Sequence, residues 1–198
     1  MKNSILKLTV GLFLCFGGLN AQSFQRGQMD LDMGVGLGNT YIGPGYSNST
    51  PPLNVSFNYG ITNDISLGGY LGFSQATYTY AGWDDCGQGH GNGQYYVDTY
   101  KWTYIIAGVQ GDFHFGRFIK IDKLDVYAGL LLGNDFAHSA YFTTSVCPDH
   151  IAYLEPTYGG FVAAPHVGAR YRFTDHFGVF LELGYGITYV NTGLNFKF

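Results

Sequence analysis

The chain has 198 residues, of which 46% are hydrophobic and only 12% are charged, whereas an ordinary soluble domain is about 25% charged. Its short apolar stretches are diluted by 30 glycines and never approach the roughly 18 consecutive apolar residues of a membrane helix, which excludes a helical membrane bundle. The net charge of −4, with no basic cluster, argues against nucleic acid as a partner.

Residues 1–21 have the features of a cleavable signal peptide. Lys2 and Lys7 supply a positive region, a twelve-residue apolar stretch follows, and Ala21 offers a small residue for cleavage. The apolar stretch is too short to cross a membrane as a helix. We therefore expect residues 1–21 to be removed on export and residues 22–198 to form a single domain.

Eight segments of the remaining chain alternate between apolar residues and small or polar residues. In the first segment, Met29, Leu31 and Met33 alternate with Asp30 and Asp32. Successive side chains of a strand point to opposite faces, so this period predicts strands with two unlike faces. The predicted strands cover residues 29–38, 53–61, 65–75, 105–115, 124–133, 161–173, 177–185 and 190–198.

The links between these strands alternate between short and long. The short links are residues 62–64, 116–123 and 174–176, and the long, polar or Gly-rich links are residues 39–52, 76–100 and 135–160. Outer-membrane barrels have this arrangement, with short periplasmic turns at one rim and long extracellular loops at the other. We therefore predict an all-β fold, an eight-stranded antiparallel up-and-down transmembrane β-barrel. An aromatic-rich secreted sandwich is the alternative.

The two strand faces agree with a membrane barrel. Large apolar side chains would meet lipid, and the Gly, Ser, Asn and Asp residues opposite them would line the lumen. Aromatic residues beside the short links or the C-terminus predict a girdle at the inner membrane interface: Tyr59, Phe113, Phe115, Tyr171, Phe173, Phe177, Phe196 and Phe198. Pro165 falls inside the sixth strand and predicts a bulge or a late strand start there.

The inward face carries a cluster of charged residues. An eight-stranded barrel is just wide enough for side chains to fill, so we expect the lumen to be plugged. Strand neighbours predict that Asp30 and Asp32 lie near Lys197, and that Arg170 and Arg172 lie near Asp125 and Glu182. Because an unpaired buried charge costs several kcal/mol, a structural salt-bridge plug is the main interpretation and a gate for ions or protons the alternative. The cluster comprises Asp30, Asp32, Asp112, Asp125, Arg170, Arg172, Glu182 and Lys197, with His114 and His166 nearby.

The chain ends on an outward apolar row, Leu194, Phe196 and Phe198, which alternates with polar residues. This ending resembles the assembly signal in the last strand of outer-membrane barrels. Together with the strand pattern, it makes the chain similar to the family of small eight-stranded outer-membrane proteins akin to the OmpA transmembrane domain and OmpX. The resemblance implies insertion into outer-membrane lipid of a Gram-negative bacterium by the barrel assembly machinery, and it implies no single activity.

Three functions are compatible with a small outer-membrane barrel. The first is a non-enzymatic barrel with a structural or surface-interaction role, in which the long loops meet an external ligand. The second is a narrow channel for small solutes, and the third is a lipid-modifying enzyme. His138 and Ser139 are adjacent, and neighbouring strand residues point to opposite faces, so they do not form a catalytic pair.

No cofactor or metal is expected. The polar residues of the long links fit no spacing of a known metal motif: Asp84, Asp85, His90, Asp149, His150 and Glu155.

Two cysteines remain after removal of the signal peptide. Cys86 and Cys147 fall in the second and third long links, on the same side of the predicted barrel. Disulfides persist in the exported compartment, so we expect an intramolecular bridge between them, with two free thiols or an intermolecular bridge as alternatives.

Overall fold

The computed structural model describes residues 24–41, 43, 45–84, 93–119, 121–145 and 157–198. The signal peptide expected at residues 1–21 and the cysteines Cys86 and Cys147 lie outside these residues. None of the described residues belongs to a helix that is long and apolar enough to cross a membrane.

Eight antiparallel strands close into a barrel. Each strand pairs with the next one in sequence, and the last strand pairs with the first, where Asp30 lies opposite Lys197. The strands are β1 (Met29–Asn39), β2 (Ser47–Gly60), β3 (Ile65–Asp84), β4 (Gln94–His114), β5 (Leu124–Thr143), β6 (Tyr158–Arg172), β7 (Phe177–Gly184) and β8 (Thr188–Lys197). The all-β, eight-stranded up-and-down fold class predicted from the sequence is confirmed.

Three neighbouring strands extend far beyond the predicted bounds. β3, β4 and β5 have 20, 21 and 20 residues, whereas about 9–11 residues suffice to cross a membrane. The strands therefore begin or end inside the predicted long links, since residues 47–52, 76–84, 94–100, 135–143 and 158–160 belong to paired strands. Beyond the lipid, a strand can pair with its neighbours without an apolar outward face. The alternation of apolar and polar residues in the sequence therefore ends before the strands end.

Side-chain burial follows the predicted alternation. On the inward face Asp30 and Asn58 are 0% exposed, whereas on the outward face Leu37 and Leu67 are 63% and 55% exposed. Polar residues fill the interior and large apolar residues cover the outside, the reverse of a water-soluble protein. A soluble sandwich is therefore wrong, because it would place its apolar face inward.

Aromatic girdles border the apolar outside. At the end with the short links, Phe173 contacts Tyr171 and Phe177, with ring centroids 5.5 and 6.2 Å apart. At the other end Phe161 is 73% exposed on the same strand as Tyr171. Ten residues of strand span about 33 Å, or about 25 Å along the membrane normal at the tilt of such barrels, which matches the height of their apolar band.

Pro165 does not interrupt the sixth strand. β6 runs continuously from Tyr158 to Arg172, and Pro165 lies opposite Leu130 of β5 in regular register. The Pro165 carbonyl accepts a hydrogen bond from Tyr185 N–H just past the end of β7, at 3.0 Å. In an antiparallel strand the N and O of one residue face the same neighbour, so the missing N–H points to where β7 has ended and costs no ladder bond.

Candidate functional site

The inward side chains form successive layers between the two ends of the barrel. We term the end with the short links the inner rim and the opposite end the outer rim. From inner to outer rim, the layers are an aromatic lid, a layer of charged pairs, an amide layer, an apolar layer and an aromatic face.

The lid is the segment that precedes β1. The Phe24 ring is 4% exposed and stacks on the His114 imidazole, with centroids 3.6 Å and planes 2° apart. Gly27 N–H donates to the Gly60 carbonyl at 2.8 Å, which holds the segment against the end of β2. Sequence reasoning missed this lid because the segment has no strand period, and an isolated Phe gives no signal of where it packs.

Arg170 lies at the centre of the charged layer. Its Nε and Nη2 donate to Asp32 Oδ2 at 3.1 and 2.7 Å, and its Nη1 donates to Asp125 Oδ2 at 3.3 Å. The guanidinium also lies over the Tyr127 ring, 4.1 Å from its centroid. Arg170 thus joins a carboxylate of the neighbouring β5 to one that lies across the lumen on β1.

Arg172 forms the second part of this layer. Its Nη2 donates to Asp30 Oδ1 at 3.0 Å, and both side chains are no more than 1% exposed. The Asn195 amide donates to Asp30 and Asp32 at 3.2 and 2.8 Å, which ties the two carboxylates together. Charge-assisted hydrogen bonds of this kind offset the cost of removing the charges from water.

Two histidines complete the layer. His114 Nδ1 lies 2.9 Å from Asp125 Oδ1, and its Nε2 lies 3.0 Å from Ser66 Oγ. His166 Nε2 lies 2.8 Å from Asp112 Oδ1. Ser66, His114 and Asp125 have the connectivity of a nucleophile, a base and an orienting acid, which sequence reasoning did not identify. All three side chains are 0% exposed, so no substrate reaches them in this structure.

Two of the sequence-predicted ion pairs are absent from the described part of the chain. Glu182 accepts a hydrogen bond from Tyr127 OH at 3.0 Å and has no ion pair with either arginine. Lys197 lies opposite Asp30 in the strand register, yet the ion pair of Asp30 is with Arg172. The arginines reach across the lumen, which neighbour-strand reasoning does not anticipate.

An amide layer and an apolar layer lie towards the outer rim. Asn54 and Asn191 exchange hydrogen bonds of 2.7 and 3.0 Å across the lumen. A cavity of about 20 Å³ nearby, bordered by Tyr70 and Glu182, has room for about one water molecule. The apolar layer, which we term the septum, comprises Ile106, Leu131, Val162, Ala164 and Ile187.

The sequence does carry a signal for the septum. The run Leu130-Leu131-Leu132 and the pair Ile105-Ile106 break the alternation, which puts one apolar side chain of each group on the inward face. The strand analysis counted the outward members only. The inward members therefore went unrecognised.

The aromatic face begins beyond the septum. On β4 the inward parity of Ile106 continues without a register shift through Tyr104, Trp102, Tyr100 and Asp98. The register aligns Tyr100 with Tyr78 of β3 and Tyr141 of β5, and the three rings form a row with centroids 6.4 and 4.9 Å apart. We term this inward surface the outer vestibule; its rings are Tyr46, Tyr78, Tyr80, Tyr96, Tyr100, Trp102, Tyr104, Tyr141 and Tyr158.

Tyr41, which follows β1, lies at the floor of the vestibule. Its ring stacks on Tyr104 at a centroid distance of 5.1 Å, and its carbonyl accepts a hydrogen bond from Tyr104 OH at 3.3 Å. Burial, with the Asp135 carboxylate nearby, raises the pKa of Tyr41 to about 12. The phenol is therefore neutral at any physiological pH, and the floor adds no charge of its own.

The remaining chemical candidates do not assemble into a site. His138 lies on the outward parity of β5, with Nδ1 3.3 Å from Thr157 Oγ1, and Ser139 lies on the opposite parity. Within the described ranges, no group of three His, Cys, Asp or Glu side chains is placed to hold a metal ion. Of the polar link residues, Asp85, His90, Asp149, His150 and Glu155 lie outside those ranges.

No family model and no curated protein sequence matches this chain. Among solved structures, OprG of Pseudomonas aeruginosa is similar, with a TM-score of 0.54 and 10% identity over 89% of this chain and 98% of that chain.

Two further solved structures cover the chain to a similar extent. Ail of Yersinia pestis, in complex with the heparin analogue sucrose octasulfate, has a TM-score of 0.49 and 13% identity over 88% of this chain and 100% of that chain. The N-terminal β-barrel domain of Pseudomonas aeruginosa OprF has a TM-score of 0.46 and 14% identity over 87% of this chain and 98% of that chain. The similarity to OprG, whose TM-score is 0.54, confirms the resemblance to small eight-stranded outer-membrane barrels at the level of the fold.

Proposed function

We propose that the protein is a non-enzymatic integral protein of the outer membrane of a Gram-negative bacterium, with a lumen closed by side chains and a surface-interaction role outside. One observation carries the proposal. The outside of the barrel is apolar, the described side chains of the charged, amide and apolar layers are buried, and the cavity bordered by Tyr70 and Glu182 has room for about one water molecule.

The membrane location rests on the outer surface. Exposed apolar side chains on every strand form a continuous band, for example Met33, Leu67, Val109, Leu130 and Leu181, each at least 42% exposed. A monomeric soluble protein rarely exposes a contiguous apolar patch of more than a few hundred Å². A band that encircles a closed barrel between two aromatic girdles fits a lipid bilayer.

Two successive barriers support the proposal that the lumen is closed. Arg170 is held by Asp32 and Asp125, so moving it aside leaves two buried carboxylates short of partners. Beyond the charges, an ion would have to shed its water to pass between Ile106 and Ile187, both 0% exposed. These barriers disfavour the narrow channel, and the charged layer serves as a structural plug.

A non-enzymatic role rests on the burial of the reactive groups. The contact between Ser66 and His114 is compatible with a serine hydrolase, but the stacked Phe24 ring covers the imidazole. A general base must lie within hydrogen-bond reach of a substrate, and no substrate fits between these groups. The serine is therefore assigned a structural role as a partner for the imidazole.

Assembly is assigned to the last strand. Leu194 on the outward face of β8 is 42% exposed, and Phe198, which directly follows β8, is 65% exposed; Phe196 lies between them on the same parity. Deleting Phe198 should reduce the amount of folded protein in the outer membrane while export continues, because the barrel assembly machinery would recognise the outward row of Leu194, Phe196 and Phe198. Folded outer-membrane levels equal to those of wild type would refute this role.

The proposal is tested on purified protein. In detergent it should show a β-type circular dichroism spectrum and a gel mobility that changes on boiling, and in planar bilayers it should show no steady conductance. Protein recovered from the same lipid must keep the mobility change, which verifies that folded barrels were present. A helical spectrum would refute the barrel, and steady open-state currents would refute the closed lumen in favour of a channel.

A further inference from the structure

The apolar outside of the barrel has a depression across β2, β3 and β4. Gly69 and Ala107 are outward residues of neighbouring strands, and a Cβ placed on Gly69 would meet no atom within 4 Å. The larger side chains of Phe57 and Leu71 border them and are 46% and 54% exposed. The volume of this depression is about 370 Å³. Small residues among large ones thus leave space at the lipid-facing surface.

A second apolar depression continues the first towards the outer rim. It has a volume of about 380 Å³, shares Val55 and Leu71 with the first, and is bordered by Leu53, Phe73 and Ile105. A water molecule takes up about 30 Å³ in the liquid, so each depression has room for several groups of methylene size. We term the two depressions together the lipid-face groove. Its length along the strands and its apolar border suit a lipid acyl chain.

A lysine lies beyond the outer end of the lipid-face groove. Lys101 has the outward parity of Ile105 on β4 and lies four residues nearer the outer rim. This spacing is about 13 Å along the strand and about 10 Å along the membrane normal, and a lysine side chain can bend towards the interface. The headgroup region of a bilayer is about 5–7 Å thick on each side. The Lys101 ammonium therefore reaches the level of the lipid phosphates above the groove.

Lys101 has no counter-ion in the part of the chain that the structure describes. Its side chain forms neither an ion pair nor a hydrogen bond with a described residue. Asp98 and Asp135, on the same stretch of β4 and β5, have the inward parity. All other described lysines and arginines lie in the lumen or near the inner rim: Arg26, Arg117, Lys123, Arg170, Arg172 and Lys197. Lys101 is thus the one described lysine or arginine that faces the lipid at the outer rim.

We propose that the lipid-face groove and Lys101 together bind one anionic phospholipid of the outer leaflet, with an acyl chain in the groove and the phosphate beside the ammonium. The inference rests on the membrane location proposed above. Thr77, opposite Lys101 in the register, and Thr103, two residues along β4, add outward hydroxyl groups that can donate to a phosphate.

Charge complementarity selects a lipid over a second copy of the chain. In a two-fold dimer through this face, with the axis along the membrane normal, both copies would present Lys101 at the same height. Like charges would then meet in the interface, which disfavours it. An anionic headgroup instead supplies the partner that Lys101 lacks among the described residues.

The expected contributions of the two parts differ in kind. One lysine near an anionic lipid surface contributes about fivefold in affinity. Acyl chains are as apolar as the groove, so the groove contributes through close van der Waals contact rather than through removal from water. We expect this contact to contribute about twofold or more.

The test measures lipid contact at the groove by fluorescence quenching. In a protein with Trp83→Phe and Trp102→Phe, the change Phe73→Trp places the only tryptophan at the border of the groove. The folded protein in nonionic detergent is titrated with phosphatidylglycerol or phosphatidylcholine that carries brominated acyl chains. Quenching should saturate, with the half-maximal mole fraction about fivefold lower for phosphatidylglycerol. The control reporter is Leu183→Trp in the same background, on the outward face of β7, where the two lipids should quench equally.

Variants assign the effect to the two parts of the site. Lys101→Gln should abolish the preference for phosphatidylglycerol, and Lys123→Gln, at the inner rim, is its matched control and should keep it. Gly69→Leu fills the groove and should raise the half-maximal mole fraction of phosphatidylglycerol about twofold or more. Gly111→Leu is the matched control, because it also faces outward on β4 but lies outside the groove, with its Cβ 3.7 Å from Leu67.

Four results would overturn the proposal. They are equal half-maximal fractions of the two lipids at the Phe73→Trp reporter, a preference that survives Lys101→Gln, the same preference at Leu183→Trp, and no effect of Gly69→Leu. A dimer in the same micelles whose groove reporter no brominated lipid quenches would overturn it in favour of a second copy. The mobility change on boiling is recorded for every sample. If it persists, a failure concerns the lipid site alone; if the parent protein lacks it, the proposed barrel fails as well.

Discussion

The charged layer and the outer vestibule are built from the same faces of the same strands, yet their contents differ. On β4, Asp112 and His114 face the sealed lumen, and Asp98 and Tyr100 face the vestibule with the same parity. In the lumen Asp112 meets His166 of β6, and His114 meets Asp125 of the neighbouring β5. In the vestibule the carboxylate lies among tyrosines of neighbouring strands.

The number of strands at each level explains this difference. At the level of Arg170 all eight strands surround the interior, so an unpaired charge would be cut off from water. At the level of Tyr100, only the long strands β2 to β6 continue among the described residues, so partly exposed rings are tolerated. Whether all eight strands surround the interior at a given level, rather than the parity of a residue along its strand, determines whether the inward charges must pair with one another.

The sharpest test of the sealed region is Arg170→Ala. It leaves Asp32 and Asp125 without their shared guanidinium, which should lower the free energy of unfolding by about 3–5 kcal/mol. The measurement is urea unfolding in detergent or lipid, followed by circular dichroism. Arg117→Ala is the matched control: its ion pair with Asp64 is exposed at the inner rim, so the loss should stay below about 1 kcal/mol. Equal losses of unfolding free energy in the two variants would contradict a larger contribution of the lumenal ion pairs to stability.

A methyl group placed in the charged layer should have an intermediate effect. A Cβ at Gly129 would approach His166 Nε2 to 2.6 Å and would also collide with Asp112, so Gly129→Ala should cost about 1–3 kcal/mol. At Gly69, on the outward face, a Cβ meets no atom within 4 Å, so Gly69→Ala should change stability little. The same unfolding assay compares them, and similar stabilities would show that the layer is loosely packed.

The vestibule should tolerate the loss of a ring. Tyr100→Ala removes a half-buried side chain whose described ring neighbours are Tyr78 and Tyr141, so the free energy of unfolding should fall by about 1 kcal/mol or less. This prediction uses the same urea assay. A loss as large as that of Arg170→Ala would show that the rings are a packed core layer, and the distinction between the two regions would fail.

The smallest effect on the barrel is expected from the cysteines. Reduction of a Cys86–Cys147 bridge should leave the β-type spectrum nearly unchanged, because the strands hold the barrel without it. Thiol labelling of the folded, unreduced protein tests the bridge, and neither cysteine should react. Stoichiometric labelling of both, or a dimer that dissociates on reduction, would contradict the intramolecular bond.

The sequence by itself determined the strand number, the two faces and the order of short and long links. These features depend on a local rule, since each side chain points opposite to its neighbours along the strand. The rule also identified the inward charges, from Asp30 at the start of β1 to Lys197 at the end of β8. The alternation rule failed in the parts of β3 to β5 that extend beyond the membrane. There the outward face is no longer apolar, so the two-residue period of the sequence weakens although the hydrogen bonds between strands continue.

Only the tertiary structure decided which inward residues meet. Arg170 pairs with Asp32 because closure of the barrel brings β6 and β1 to face each other across the lumen, at a distance that a long guanidinium side chain spans. The stacking of Phe24 on His114 and the extension of β2 to β6 beyond the ends of β1 and β7 likewise depend on where strands end in space. Strand period carries no information about contacts across the barrel, because such contacts depend on its circumference and on side-chain length rather than on position along one strand.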